Sequence, residues 1–190
     1  MVRFLVLLLA LVPGLAMAQT PPSLSTQGTV DAVLMDRLQL KADDGTSKIV
    51  VLPPNVIVVK RVKVGWMDIK QGDWVGIDSK PGADGNQQSV AINIFSPAIL
   101  AKVRKGHFPM ESGDLMTNAP VDHVTMSDQG NSLTLKDADA MVAFQIGPET
   151  TVHRMVDADA SAIKSKAKIQ VRGTANADGS IQAVFVSIVE

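Results

Sequence analysis

The stretch 54–94, PNVIVVKRVKVGWMDIKQGDWVGIDSKPGADGNQQSVAINI, returns at 148–188 as PETTVHRMVDADASAIKSKAKIQVRGTANADGSIQAVFVSI. A shift of 94 positions superimposes Pro54 on Pro148, Val58 on Val152 and Ile69-Lys70 on Ile163-Lys164. The same shift carries Ala83-Asp84-Gly85 onto Ala177-Asp178-Gly179 and Ile94 onto Ile188. The chain is therefore read as two copies of one small domain.

Working outward from that stretch, Thr29-Val30-Asp31-Ala32-Val33 alternates apolar and polar residues, Met35-Asp36-Arg37 turns, and Leu38-Gln39-Leu40-Lys41 alternates again. A period of two is the mark of a strand with one buried face, so this is a hairpin. Asp43-Asp44-Gly45 is a turn signal, and the continuous run Lys48 to Leu52 is expected to be buried on both faces. Pro53-Pro54-Asn55 interrupts it before Val56 to Val59, and Trp66 to Lys70 is one amphipathic turn long. Trp74 to Ile77 and Ser89 to Phe95 supply the last two strands, with Val121 to Val124 and Leu133 to Lys136 opening the second copy in the same way. Val142 to Ile146, Thr151-Val152, Lys168 to Arg172 and Ile181 to Ile188 complete it, and Asp157 to Asp159 reads as the N-cap region of its helical turn.

The expected class is all-β: two tandem five-stranded OB-like barrels, each with one short helical turn between strands 3 and 4. The boundaries are a flexible lead-in at 19–27, rich in Pro and Ser, repeat 1 at 28–95, a linker at 96–118 and repeat 2 at 119–190. The linker is expected to hold a short helix from Pro97 to Lys105 and then run irregularly. Connections of that length are usually functional or flexible.

Ahead of the repeats, Arg3, the apolar run Phe4 to Val12, Pro13-Gly14 and Ala16-Met17-Ala18 have the form of a secretory signal peptide at 1–18, cleaved near Ala18. The apolar run is shorter than the roughly 20 residues of a membrane helix. The expected location is periplasmic or secreted, with no transmembrane segment after cleavage. The chain has no cysteine, so disulfides, thiolate metal sites and a lipoprotein anchor are all excluded. Of 18 Lys and Arg only Arg3 lies in the leader, so the mature chain carries two more acidic than basic side chains. With no basic excess, no tyrosine and few other aromatics, nucleic acid is not an expected partner.

Gly28-Thr29-Val30, the Asp44-Gly45 turn, Ile69-Lys70-Gln71-Gly72-Asp73-Trp74-Val75 and the late Ala83-Asp84-Gly85 ahead of an apolar strand resemble the exported bacterial domains of unknown function numbered 5666. Gly106-His107 and Met116-Thr117-Asn118-Ala119 are similar to the middle of proteins that carry two such domains. In the second copy Lys166-Ala167 replaces the Gly-Asp of the pattern. The resemblance implies a barrel fold and export, and supplies no activity.

Two groups of residues are candidates for chemistry. His107, Met110, Met116, His123 and Met126 fall within 20 residues, and thioether with imidazole suits Cu(I) where cysteine is absent. The architecture and the pair Trp66-Met67 also resemble small periplasmic copper and silver chaperones. Methionine filling core gaps is the competing reading. Lys60, Arg61 and Lys63, with Lys102, Arg104 and Lys105, form a possible patch for an anionic partner if both segments lie at one barrel end. The Asp-Gly pairs read as turns, and no nucleophile, phosphate-loop or zinc-protease motif is present. The expectation is a periplasmic, non-enzymatic binding or assembly module without cofactor, engaging an unknown periplasmic protein or envelope component. The alternative is a copper carrier using the Met and His set.

Overall fold

The computed structural model describes residues 23–82, 86–110, 112–127, 130–138 and 140–189. The expected leader, residues 19–22 of the lead-in and the Ala83-Asp84-Gly85 turn lie outside them. The strands are β1 (Ser23–Leu34), β2 (Arg37–Ala42), β3 (Ser47–Val51), β4 (Ile57–Lys63), β5 (Trp74–Pro81) and β6 (Gln87–Ile94). They continue as β7 (Gly106–Pro109), β8 (Leu115–Ser127), β9 (Gly130–Asp137), β10 (Ala140–Ala158), β11 (Lys168–Ala175) and β12 (Ile181–Val189). Among the described residues helix is confined to α1 (Pro97–Leu100) and two 3-10 turns, Trp66–Asp68 and Ala160–Ala162. The protein is all-β, and among the described residues no helix is long and apolar enough to cross a membrane.

Strand pairing closes into two rings. In the first, β1 pairs with β2, β2 with β3, β3 with β12, β12 with β11, and β11 returns to β1; the β3–β12 pair alone is parallel. In the second, β8 pairs with β9, β9 with β10, β10 in parallel with β6, β6 with β5, and β5 returns to β8. The expectation of tandem barrels, one per repeat, is corrected here. Each ring takes three strands from one repeat and two from the other, so neither 28–95 nor 119–190 closes a ring alone.

The length of the third strand explains the exchange. The 19 residues of β10, at about 3.3 Å each, reach roughly 60 Å, far beyond the wall of a small barrel. Residues 151–154 still pair with β6, and the strand runs on past the ring so that 153–158 pair antiparallel with β4, from Val58 opposite Ala158 to Lys63 opposite His153. In repeat 1, Pro53-Pro54 divides the same path into β3 and β4, because proline supplies no ladder donor. At the centre Arg61 faces Met155, which is its own counterpart under the 94-residue shift. A pseudo-twofold axis therefore passes through this pair, and the chain crosses it to deliver β5 and β6 to the second ring.

Two cores result. Val30, Leu38, Leu40, Val50, Val58, Ile169, Val171 and Val186 pack in the first ring, and Val75, Ile77, Ile92, Ile94, Leu133, Leu135, Phe144 and Val152 in the second. Each fully buried side chain of this size contributes about 1.5–3 kcal/mol. Along β2 exposed and buried residues alternate strictly, as the sequence pattern predicts. In β3 only Val50 is fully buried and Ile49 is 37% exposed, which corrects the expectation of two buried faces: the outer wall of the ring meets water.

Two further expectations are corrected. Residues 23–27, assigned to a flexible lead-in, begin β1 and pair with β11. The linker is not irregular, since α1 ends at Leu100, Gly106–Pro109 forms β7, and 115–118 opens β8 between β5 and β7. The N-cap region expected at Asp157 to Asp159 is where the second 3-10 turn begins: Asp159 is its N-cap, with no side-chain capping bond.

Candidate binding surfaces

Residues of β4 alternate between two faces. Val58 enters the first core, so its face also holds Lys60 and Val62, while Val59, Arg61 and Lys63 share the other. The Lys60, Arg61, Lys63 patch is therefore split across the sheet. On the Arg61 face, the ladder sets Lys63 (β4), His153 (β10), Asn93 (β6), Gly76 (β5) and Asn118 (β8) in one row. The axis relates this row to Asp157, Val59, Ser187, Gln170 and Gln27.

Arg61 is partly buried, and its Nη2 donates to Nδ1 of His153 at 3.3 Å. Its Nε is buried without an acceptor, and no carboxylate lies within 4 Å among the described residues. Burial, and then the charge of Arg172, press the Arg61 pKa down. Burial, then Arg61 and Lys63, hold His153 below the usual histidine value. The neutral imidazole accepts at Nδ1 and so keeps its proton on Nε2. Asp78, the axis mate of Arg172, is raised by burial and by Asp114 against an opposing pull from Lys80.

The linker cations lie elsewhere. Arg104 covers the Phe108 ring at 4.2 Å and Lys105 approaches the Trp74 ring at 5.0 Å, so both are held by aromatic faces, while Lys102 is exposed. Asn118 Nδ2 donates to the Arg104 carbonyl at 2.6 Å. That fastens the segment four strands from Lys63, about 19 Å along the curved sheet. The two halves of the expected patch do not form one surface at a barrel end.

The Met and His set is dispersed. His107 is hydrogen-bonded through Nδ1 to Thr117 Oγ1 at 2.6 Å, opposite it in the β7–β8 ladder. Met116, next in β8, points to the other face, opposite Phe108. Met110 accompanies the tight turn to Asp114. His123 sits about 20 Å farther along β8 from Thr117, bonded to Asp122 Oδ2 at 2.9 Å, and Met126 lies beyond it, 67% exposed. Among the described residues no three His, Asp or Glu side chains form a group that could hold a metal ion.

A groove of about 270 Å³ opens on the first ring. Arg37, Ser47, Lys48 and Ile49 of β2 and β3 form one wall, and Asp178, Gly179 and Ser180 of the β11–β12 turn form the other. Both repeats are needed to build it. Its charges are internally balanced: Arg37 pairs with Asp36 at 3.3 Å and Lys48 with Asp44 at 3.5 Å. Asp178 accepts from the Ser180 hydroxyl at 2.6 Å and its N–H at 2.9 Å, which holds the Asp178 carboxyl below its ordinary value. The sequence pattern hides this groove, since Lys48 and Asp178 meet only through the exchanged strands. No family model, no curated protein and no solved structure matches this chain.

Proposed function

We propose that the chain is an exported, non-enzymatic binding module, delivered to the periplasm by the leader at 1–18 and related to the exported domains of unknown function it resembles. Its ligand is a hydroxyl-rich saccharide segment of the cell envelope, held in the groove of the first ring. The observation that carries this reading is the position of that groove, on the second and third strands of a five-stranded ring beside the turn joining the last two. OB-type barrels take oligosaccharides and oligonucleotides on this face. The paired charges favour a neutral, hydrogen-bonding ligand over a polyanion. Ser47 and Ser180 offer hydroxyls, and Ile49 offers an apolar platform for the C–H face of a sugar.

The test is amide chemical-shift mapping of the mature chain against neutral envelope glucans and peptidoglycan fragments. Saturable shifts at 37–49 and 178–180, abolished by Ser47→Trp, support the reading. Saturable shifts confined to other strands, or none with any of these saccharides, overturn it.

A further inference from the structure

The Arg61 face carries a charge that the scaffold does not require. Under the pseudo-twofold axis Arg61 corresponds to Met155, His153 to Val59, Lys63 to Asp157, Lys168 to Trp74 and Arg172 to Asp78. The axis-related backbone positions thus hold apolar or acidic side chains in the same fold. Arg61, Lys63, Lys168 and Arg172 lie on the β4 and β11 side of the axis, and His153 faces Lys63 from β10. Among them, the Arg61 guanidinium is partly desolvated, has no carboxylate partner among the described residues and leaves a buried Nε without an acceptor. A partly buried charge without a counter-ion is costly, and an anion placed against the Nη edge of the guanidinium offsets that charge even though Nε itself stays covered.

We propose that this face holds a site for a tetrahedral oxyanion, a sulfate or phosphate group, centred on Arg61 with Lys63 and His153 beside it. Protonation of His153 at Nδ1 ends the bond it accepts from Arg61 Nη2 and frees that N–H, so the two Nη groups of the planar guanidinium supply forked donors, the Lys63 ammonium a point charge and the imidazolium a further donor. The site is distinct from the saccharide groove and lies on the β4–β10 ribbon between the rings.

Binding there is linked to protons. The charged groups facing His153 and Arg61 are Lys63 on β4, Asp157 on β10, Lys168 and Arg172 on β11, and Asp78 on β5, so cations predominate. With the site empty, burial and the neighbouring cations keep His153 neutral. An oxyanion offsets those cations and favours the imidazolium, so binding takes up a proton and strengthens as pH falls.

The experiment titrates the mature, isotopically labelled chain with inorganic sulfate, whose charge is constant across the range used, at about pH 5.5 and about pH 7.5. The expected result is saturable shifts at 59–63 and 153–157, with affinity several-fold higher at the lower pH. Arg61→Met installs the residue already present at the axis mate and is expected to keep the melting temperature while weakening sulfate about tenfold. His153→Val, built on the same logic, is expected to flatten the pH dependence. Arg61→Lys keeps the charge but not the fork and gives intermediate affinity, so the site stays testable should Arg61→Met fail to fold. Inorganic phosphate at about pH 7.5 shows whether the second oxyanion occupies the same residues. Equal sulfate affinity in either Arg61 variant and the parent, or no saturable shift on this face, overturns the site. Affinity independent of pH overturns the role of His153.

Discussion

Gly28 has no room for a methyl group. It lies where β1 is wedged between β2 and β11, and a Cβ there would be driven into the Lys41 carbonyl oxygen. Gly28→Ala is therefore expected to destabilise the chain by about 1–3 kcal/mol, read as a lowered denaturant midpoint at constant slope. An unchanged midpoint would contradict the close packing. Asp78 makes a prediction of opposite sign. Burial and Asp114 raise its pKa, so the folded state holds the proton more tightly than the unfolded chain. Its contribution is fully present below the unfolded value and is lost as pH rises through the folded one. Asp78→Asn should raise the melting temperature near neutral pH and change it little in acid, and a uniform shift at all pH values would refute this. At this scale the sequence was partly legible. The Asp44 and Asp178 turns were readable from Asp-Gly, because the side chain bonds its own backbone two residues on. His153 was not, since nothing local says which strand will lie beside β10.

Elements follow from alternation where one face meets water. Strand β2 could be read residue by residue, as could the β1–β2 and β8–β9 hairpins, both of which bulge at the aspartate after Val30 or Val121. Segment 96–118 was misread because its short strand β7 gains its ladder only from β8, a long-range partner with no mark in local composition. The bond from Asn118 to the Arg104 carbonyl anchors that segment on the second ring. Removing it in Asn118→Ala should forfeit about 1 kcal/mol, seen as roughly fivefold faster amide exchange across 104–109 with little change elsewhere. Equal protection in the variant would mean that the cation–aromatic contacts of Arg104 and Lys105 hold the segment by themselves.

At the scale of the whole molecule, the 94-residue shift correctly announces a duplication but not its form. Tandem and exchanged arrangements contain the same strands, turns and inward-facing residues, so local patterning cannot separate them. The distinguishing feature is the reach of β10 and of the β3–β4 path past the ring, which carries each chain segment into its partner repeat. The two rings should consequently unfold as one unit. Phe144→Ala in the second ring is expected to cost about 3–5 kcal/mol and to shift a single transition, whereas two resolved transitions would indicate independent barrels. The groove and the Arg61 face both depend on this arrangement, because each combines residues from the two repeats. The most direct measurement uses the absence of native cysteine to place pairs in residues 19–190. Ser25 lies opposite Arg172 in the exchanged fold, while a tandem barrel would place it opposite Asp78, the residue 94 positions earlier. Mild oxidation of the Ser25→Cys/Arg172→Cys and Ser25→Cys/Asp78→Cys chains, read by mass and mobility of the monomer, decides between them. The exchanged fold predicts an intramolecular disulfide in the first and none in the second, and the reverse result would contradict it.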